Sequence, residues 1–269
     1  MTKKGKRASE GTGKTDSSRR RPASSAATKC KADMLYTSRV VGTPILPPPR
    51  SDGKKKIELH LTSKRVYQET ILSIDGLLSA RECATWISHA EEKGFERSFH
   101  AQTAEIAHRD NGRITLHSPA VAAAVFARVG PFVPAEMDGR SAAGCNANIR
   151  MYRYNVGQRF GKHVDESVED ENGCVSYWTV LIYLNGGEGG SDATDGRDTG
   201  SGADEALEPL RGGETVFYKG NYGGKIAASF APTMGACLIH GHGQRCLLHE
   251  GAVVTAGAKY VLRTDVMYS

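Results

Sequence analysis

The sequence contains no apolar run of the ~20 residues that a helix needs to cross a bilayer, which argues against a spanning helix. Its first residues, Met1-Thr-Lys-Lys-Gly-Lys-Arg7, lead into no apolar segment and do not read as a secretory signal. C-x-x-C spacing is lacking too: the six cysteines stand at 30, 83, 145, 174, 237 and 246, with no dense framework. In a 269-residue chain without a signal they are expected to be reduced thiols. The expectation is an intracellular protein of the cytoplasm or nucleus. An organellar transit segment stays open, although the lysines, Glu10 and Asp16 count against it.

Acidic residues are scarce at one end and concentrated elsewhere. The net charge is +5, yet residues 1–56 hold 15 Lys+Arg against 4 Asp+Glu, leaving 20 against 26 for residues 57–269. Residues 1–56 are rich in Lys, Arg, Ser, Ala and Pro, and too little of this stretch is apolar to offset ordering entropy. It reads as a basic disordered tail: an import signal, a nucleic-acid tether, or a solvated tail without a dedicated partner. Residues 186–213 carry seven acids, two arginines and nine glycines, which reads as a mobile acidic insertion. Asp192, Asp195 and Asp198 lack the spacing of an EF-hand calcium loop.

Between these stretches the patterning is that of a folded domain over 57–269. Residues 57–61 and 66–74 alternate like short strands. Ser79-Ala-Arg-Glu82 is a capping box for a helix that presents Cys83, Trp86, Ile87 and Ala90 and stops at Gly94. A second helix begins at Ser118-Pro119, buries Val121, Val125, Phe126 and Val129, and ends at Gly130-Pro131. From Asn148 the period becomes two, with strands expected at 148–154, 177–185, 214–218, 236–240, 252–254 and 259–268. The fold class is therefore mostly β with supporting helices. A helical support over 57–146 would precede a jelly-roll core over 147–269.

Within that core, His163 and Asp165 stand two residues apart and share a face of an extended segment. An imidazole and a carboxylate so placed can form two thirds of the 2-His-1-carboxylate triad that suits non-haem Fe(II). His249 is the candidate third ligand, with His240 and His242 as alternatives nearby in sequence. Lys259, ten residues after His249, opens a strand in which Lys259, Val261 and Arg263 share one face. A cation inside a barrel calls for an anionic partner. 2-Oxoglutarate fits, one end on the metal and its distal carboxylate on the lysine. Arg109 and Arg113 are expected to pair with acids near the substrate face, and Cys145 and Cys174 to be ordinary thiols.

These residues lie in motifs that resemble the prolyl 4-hydroxylase-type 2-oxoglutarate/Fe(II) dioxygenases. The pieces are Ile74-Asp-Gly-Leu-Leu-Ser-Ala-Arg-Glu-Cys83, Arg109-Asp-Asn-Gly-Arg113, Tyr152-Arg-Tyr-Asn-Val-Gly-Gln158, His163-Val-Asp165, Tyr183-Leu-Asn185, Gly212-Gly-Glu-Thr215, and His249-Glu-Gly with Gly257-Ala-Lys259. They span about residues 70–269 in the family's order. The resemblance implies a double-stranded β-helix with His163, Asp165 and His249 on Fe(II) and Lys259 on the 2-oxoglutarate distal carboxylate. It also implies that Tyr154 and Tyr183 hydrogen-bond the co-substrate. Arg263 either shares that carboxylate or pairs with Asp265.

The implied reaction consumes 2-oxoglutarate and O2, releases succinate and CO2, and hydroxylates a substrate C–H bond, with ascorbate as a candidate reductant. A protein or peptide substrate, prolyl by analogy, is the expectation. The alternatives are the same chemistry on nucleic acid or a small molecule, or an inactive binding module. Nucleic-acid contact is expected through the basic tail alone. The demethylating branch pairs its late arginine with another six residues on, and six beyond Arg263 is Ser269.

Overall fold

The computed structural model describes residues 35–42, 57–187, 208–220 and 224–269, with residues 35–42 and 57–60 as backbone only. Most of the expected tail, including its basic clusters, and most of the expected insertion, including its three aspartates, lie outside the described residues. The first half holds strands β1 (Leu35–Gly42), β2 (Ile57–Tyr67), β3 (Ile71–Asp75), β4 (Glu96–His100), β5 (Arg109–His117), β6 (Glu136–Met137) and β7 (Arg140–Cys145). Two helices, α1 (Ala80–Lys93) and α2 (Pro119–Val129), interrupt them. Then follow β8 (Asn148–Tyr154), β9 (Phe160–His163), β10 (Val175–Tyr183), β11 (Arg211–Gly212), β12 (Thr215–Lys219) and β13 (Lys225–Phe230). The chain closes with β14 (Cys237–Gly241), β15 (His249–Gly251), β16 (Val254–Ala256) and β17 (Lys259–Tyr268). No helix among the described residues is long and apolar enough to cross a membrane.

The strands pair antiparallel in the order β1-β2-β3-β14-β10-β17-β8-β5-β9-β15-β12-β13. Between β5 and β9 the ladder narrows to a single pair, Arg109 opposite Phe160, and there the sheet folds over. One wall is then β14, β10, β17 and β8, and the other is β9, β15 and β12. This curled antiparallel sheet is the jelly-roll expected from the sequence.

Period-two alternation decides what faces inward. In β10, Trp178, Val180 and Ile182 join the core beneath the helices, while Thr179, Leu181 and Tyr183 turn into the barrel. In β17, Tyr260 and Leu262 take the helix side, and Lys259, Val261 and Arg263 take the barrel side. The same division sets Cys237 and Ile239 of β14 against His240, and Ile149 and Met151 of β8 against Tyr152 and Tyr154. A one-residue slip would exchange the two sets, so the apolar face fixes the register of the polar one.

The helices cover the outer face. Ser79 caps α1 by accepting from Glu82 N–H, the Glu82 carboxylate accepts from Ser79 N–H at 2.9 Å, and Gly94 ends the helix at φ 81°. Glu82 also meets Arg128 of α2, Nη2 to Oε1 at 2.8 Å, with Arg128 fully buried. Arg128 Nη1 donates to the carbonyl of Leu77 as well. The apolar stripe of α2 holds as expected at Val121, Val125 and Val129, but Phe126 is only partly buried and Arg128 lies inside.

Several elements differ from the sequence reading. Part of the expected tail is strand, since 35–42 pairs along the whole of β1 with β2. Leu35, Tyr36, Val40 and Val41 supply strand-forming residues that the basic surroundings obscure. Arg211 and Gly212, inside the expected insertion, bridge β16. Strands β4, β5 and β9 carry charged or glycine-rich sequences whose ladders come from neighbours.

Arg128→Ala should destabilise the fold by about 3–5 kcal/mol, because it leaves the buried Glu82 carboxylate without its charged partner. Denaturant unfolding measures this, and a loss under ~1 kcal/mol would show that the pair does not hold α1 to α2.

Candidate metal centre and co-substrate pocket

His163 ends β9 and His249 begins β15, and the two are direct partners in the antiparallel register. Register alone therefore brings residues 86 positions apart side by side, with ring centroids 4.2 Å apart. Asp165 follows β9 and is fixed through its backbone: its carbonyl accepts from Gly243 N–H at 2.8 Å and its N–H donates to Cys246 Sγ at 3.3 Å. One donor atom from each of His163, Asp165 and His249 lies within 4.8 Å of the others. His163 Nε2 is 3.6 Å from Asp165 Oδ1.

Both imidazoles are oriented in the same way. His163 Nδ1 lies 2.8 Å from the carbonyl of Gly161, and His249 Nδ1 lies 2.9 Å from that of Leu247. A carbonyl accepts, so each Nδ1 carries the proton and each Nε2 keeps its lone pair for a metal. Aromatic rings brace them. Phe160 stacks on His163 at 3.7 Å, and Phe217 lies against His249 at 5.3 Å. Burial lowers the pKa of both, that of His163 to about 3, so both stay neutral and able to ligate.

Asp165 carries the charge. Burial would raise its pKa, but Arg263 and the surrounding imidazoles hold it well below the usual carboxylate range. Arg263 Nη2 is 3.0 Å from Oδ2, and the Thr179 hydroxyl donates to the same oxygen at 2.7 Å. Thr179 in turn meets His242 Nε2 at 2.7 Å, and His242 Nδ1 lies 3.1 Å from Ser176 Oγ. The Ser176 carbonyl lies 3.2 Å from the same Nδ1, and Thr179 Oγ1 accepts from Arg263 Nη2 at 3.1 Å while donating to the carboxylate. His242 thus supports the centre from behind, whereas His240 faces it, its Nε2 3.7 Å from Asp165 Oδ2.

The same pocket contains Lys259, Tyr154, Tyr183 and Arg263. Lys259 is 4% exposed, its Nζ donates to the Gly213 carbonyl, and it lies 5.6 Å and 5.4 Å from the rings of Tyr154 and Tyr183. Among the described residues no carboxylate lies within ion-pair distance of it. Burial depresses its pKa to about 8, with Glu214 opposing from further away. Gly213 has φ +74°, and a Cβ there would approach Lys259 Cδ to 3.0 Å, so the missing side chain makes room for the lysine stem. The Tyr183 hydroxyl is bonded to Thr215 Oγ1 at 2.6 Å. The sequence left Arg263 between two roles, and its guanidinium sits with Asp165 and Asp265.

The structure corrects one expectation. Arg109 and Arg113 form no ion pair with acids among the described residues. Arg109 lies 4.0 Å over the Phe160 ring, and Arg113 Nε meets Thr115 Oγ1 at 3.3 Å. Asp110, beside Arg109 in sequence, turns to the other face and pairs with Arg97 at 3.2 Å. Cys83, Cys145, Cys174, Cys237 and Cys246 are free thiols, as expected. Thr179, Phe160 and Phe217 escaped the sequence reading. A threonine between Trp178 and Val180, on the face of Leu181 and Tyr183, was the available signal for the first.

The donor set of two neutral imidazole nitrogens and one carboxylate oxygen fits Fe(II). The buried ammonium, with no carboxylate partner among the described residues, fits the distal carboxylate of 2-oxoglutarate. No family model and no curated protein matches the chain. Among solved structures it is similar to a viral collagen prolyl hydroxylase of Paramecium bursaria Chlorella virus-1 in complex with 2OG, at 19% identity over 76% of this chain and 97% of that one, TM-score 0.46. A Trichoplax adhaerens prolyl hydroxylase in complex with a hypoxia inducible factor peptide is 15% identical over 74% and 84% of the two chains, TM-score 0.48. A Pseudomonas putida prolyl-4-hydroxylase is 13% identical over 77% and 91%, TM-score 0.40. At such low identity the functional reading rests on the side chains.

Because burial lowers the pKa of His163 to about 3, that imidazole holds no competing proton at about pH 5.5, where a free imidazole of pKa ~6.5 is mostly protonated, and His249 is shifted in the same direction. Calorimetric titration of the folded apoprotein with Co(II) should therefore lose less than about tenfold in affinity between about pH 7 and pH 5.5. A tenfold fall over that interval would mean that the imidazoles titrate normally.

Proposed function

We propose that the protein is a 2-oxoglutarate- and Fe(II)-dependent dioxygenase. It hydroxylates a C–H bond of a protein side chain, prolyl by the motifs quoted above, and releases succinate and CO2. The observation that carries this reading is the shared pocket: a two-histidine, one-aspartate donor set together with a buried ammonium that has no carboxylate partner among the described residues. An inactive binding module would be expected to lack a donor, and all three are present.

When bound, the iron with 2-oxoglutarate and O2 supplies the oxidising chemistry. The chain's own residues orient and shield it. His163 and His249 would present Nε2 and Asp165 one oxygen, while Thr179 and Arg263 hold the other oxygen away. Lys259 would fix the far end of the co-substrate, and the Tyr154 and Tyr183 rings beside it keep that ammonium out of water. Phe160 and Phe217 back the two imidazoles and limit solvent around them. No side-chain nucleophile is required. Ascorbate, expected as a reductant, would act from solution, and no pocket residue is assigned to it.

Asp165→Ala should abolish 2-oxoglutarate decarboxylation, and wild-type succinate release by that variant would sink the mechanism. Lys259→Met keeps the stem but removes the charge. It should weaken 2-oxoglutarate binding to the metal-loaded protein by about 10- to 150-fold, the ~1.5–3 kcal/mol of a charge-assisted hydrogen bond. An unchanged Kd would remove Lys259 from the co-substrate site. For the substrate, proline-containing peptides incubated with the enzyme should gain one oxygen on proline by mass spectrometry. Oxygen found on other residues alone would end the prolyl assignment.

A further inference from the structure

A second donor cluster adjoins the triad and shares one residue with it. His240, Cys246 and His249 each offer one ligand atom, all within 4.8 Å of one another. Cys246 Sγ lies 3.6 Å from His249 Nδ1 and 3.9 Å from His240 Nδ1. A tetrahedral zinc with Zn–S of about 2.3 Å and Zn–N of about 2.0–2.1 Å has S···N edges of about 3.5 Å. The observed edges are close to that. The imidazole nitrogens involved are the ones that face away from the iron triad.

Two further features favour a metal here over simple packing. The contact of His240 Nδ1 with the Gly241 carbonyl is long, at 3.3 Å, and readily exchanged for a metal bond. The N–H of Asp165 donates to Cys246 Sγ, the outer support that a metal-bound thiolate uses.

We propose that His240, Cys246 and His249 form a zinc site, with thiolate and two Nδ1 ligands and a fourth position open to water. Binding replaces the Cys246 S–H proton, which leaves to solvent, and the Nδ1 hydrogen bonds to Gly241 and Leu247. An imidazole that gives Nδ1 to zinc carries its proton on Nε2, the nitrogen the triad needs. Zinc and iron therefore compete for the tautomer of His249, a consequence that rests on the iron reading above. Zinc would inhibit the enzyme without occupying the triad.

The test is zinc K-edge X-ray absorption on the full-length, metal-stripped protein with one equivalent of Zn(II). One sulfur at about 2.3 Å and two imidazoles are expected. Cys246→Ser should lose the sulfur and raise the zinc Kd at least ~10-fold in competition with a chromophoric chelator. His240→Phe should keep the sulfur and lose one imidazole. A wild-type spectrum with nitrogen and oxygen neighbours alone, or a Cys246→Ser spectrum that retains sulfur, overturns the proposal. His163→Ala separates the two readings, since it removes a triad donor and none of the zinc set. Fe(II) affinity that survives this substitution would overturn the triad, while its zinc–sulfur spectrum reports on the proposal alone.

Discussion

The carboxylate of Asp165 is charged and almost wholly enclosed, and much of the barrel interior is arranged around that fact. A buried anion is costly unless it is paired and hydrogen-bonded. Here Arg263 supplies the countercharge and the Thr179 hydroxyl a hydrogen bond, both to the same oxygen, Oδ2. The other oxygen, Oδ1, faces His163 Nε2 and takes one long contact, 3.5 Å, from Arg263 Nη1. Satisfying one side of the carboxylate this fully makes the opposite side a directed ligand. The guanidinium brings a demand of its own, because it has more N–H donors than Asp165 takes up and is itself largely enclosed. Asp265 meets it at 3.4 Å and is held on its far side by Arg150 at 2.6 Å. The chain of ion pairs thus ends at Arg150 of β8, which is partly open to solvent.

That arrangement depends on strand periodicity rather than on loops. Lys259, Val261 and Arg263 face the barrel because Tyr260 and Leu262 are claimed by the core under the helices. Thr179 and Tyr183 face it because Trp178, Val180 and Ile182 are claimed likewise. The hydrophobic effect therefore positions polar residues it does not touch. The buried Glu82–Arg128 pair acts at one remove, joining the two helices that cover the apolar face.

Much of this was legible in the sequence, because strand alternation and helix caps are local signals. Ser79 and Gly94 marked α1, and the apolar run around Val180 marked the central strand. The His163–Asp165 pair was legible because spacing of two in an extended segment is itself geometry. What escaped depends on contacts made across long separations. Arg128 reads as a surface residue until Glu82, 46 positions earlier, lies opposite it. Thr179 is an unremarkable strand threonine until Asp165 arrives beneath it. Arg109 was expected to find an acid, but its neighbour Asp110 turns to the other face of the strand. The strand at 35–42 was hidden by composition, since counting charges over 56 residues averages away eight that pair.

The two cations of β17 show how position on one strand separates roles that sequence alone leaves merged. Lys259 and Arg263 are four residues apart and face the same way, so alternation gives no reason to distinguish them. Their surroundings do. Arg263 meets two aspartates and has its charge neutralised within the protein, whereas Lys259 meets a backbone carbonyl and two aromatic rings. A carbonyl and ring faces can hold an ammonium but cannot neutralise it, and its depressed pKa is the measure of that deficit. An anion entering the pocket therefore gains most at Lys259 and little at Arg263, whose donors are already committed. With the His163, Asp165 and His249 donors and this lysine lining one pocket, the arrangement fits a ligand that is anionic at one end and able to chelate at the other. A monoacid would leave one of the two ends unmatched.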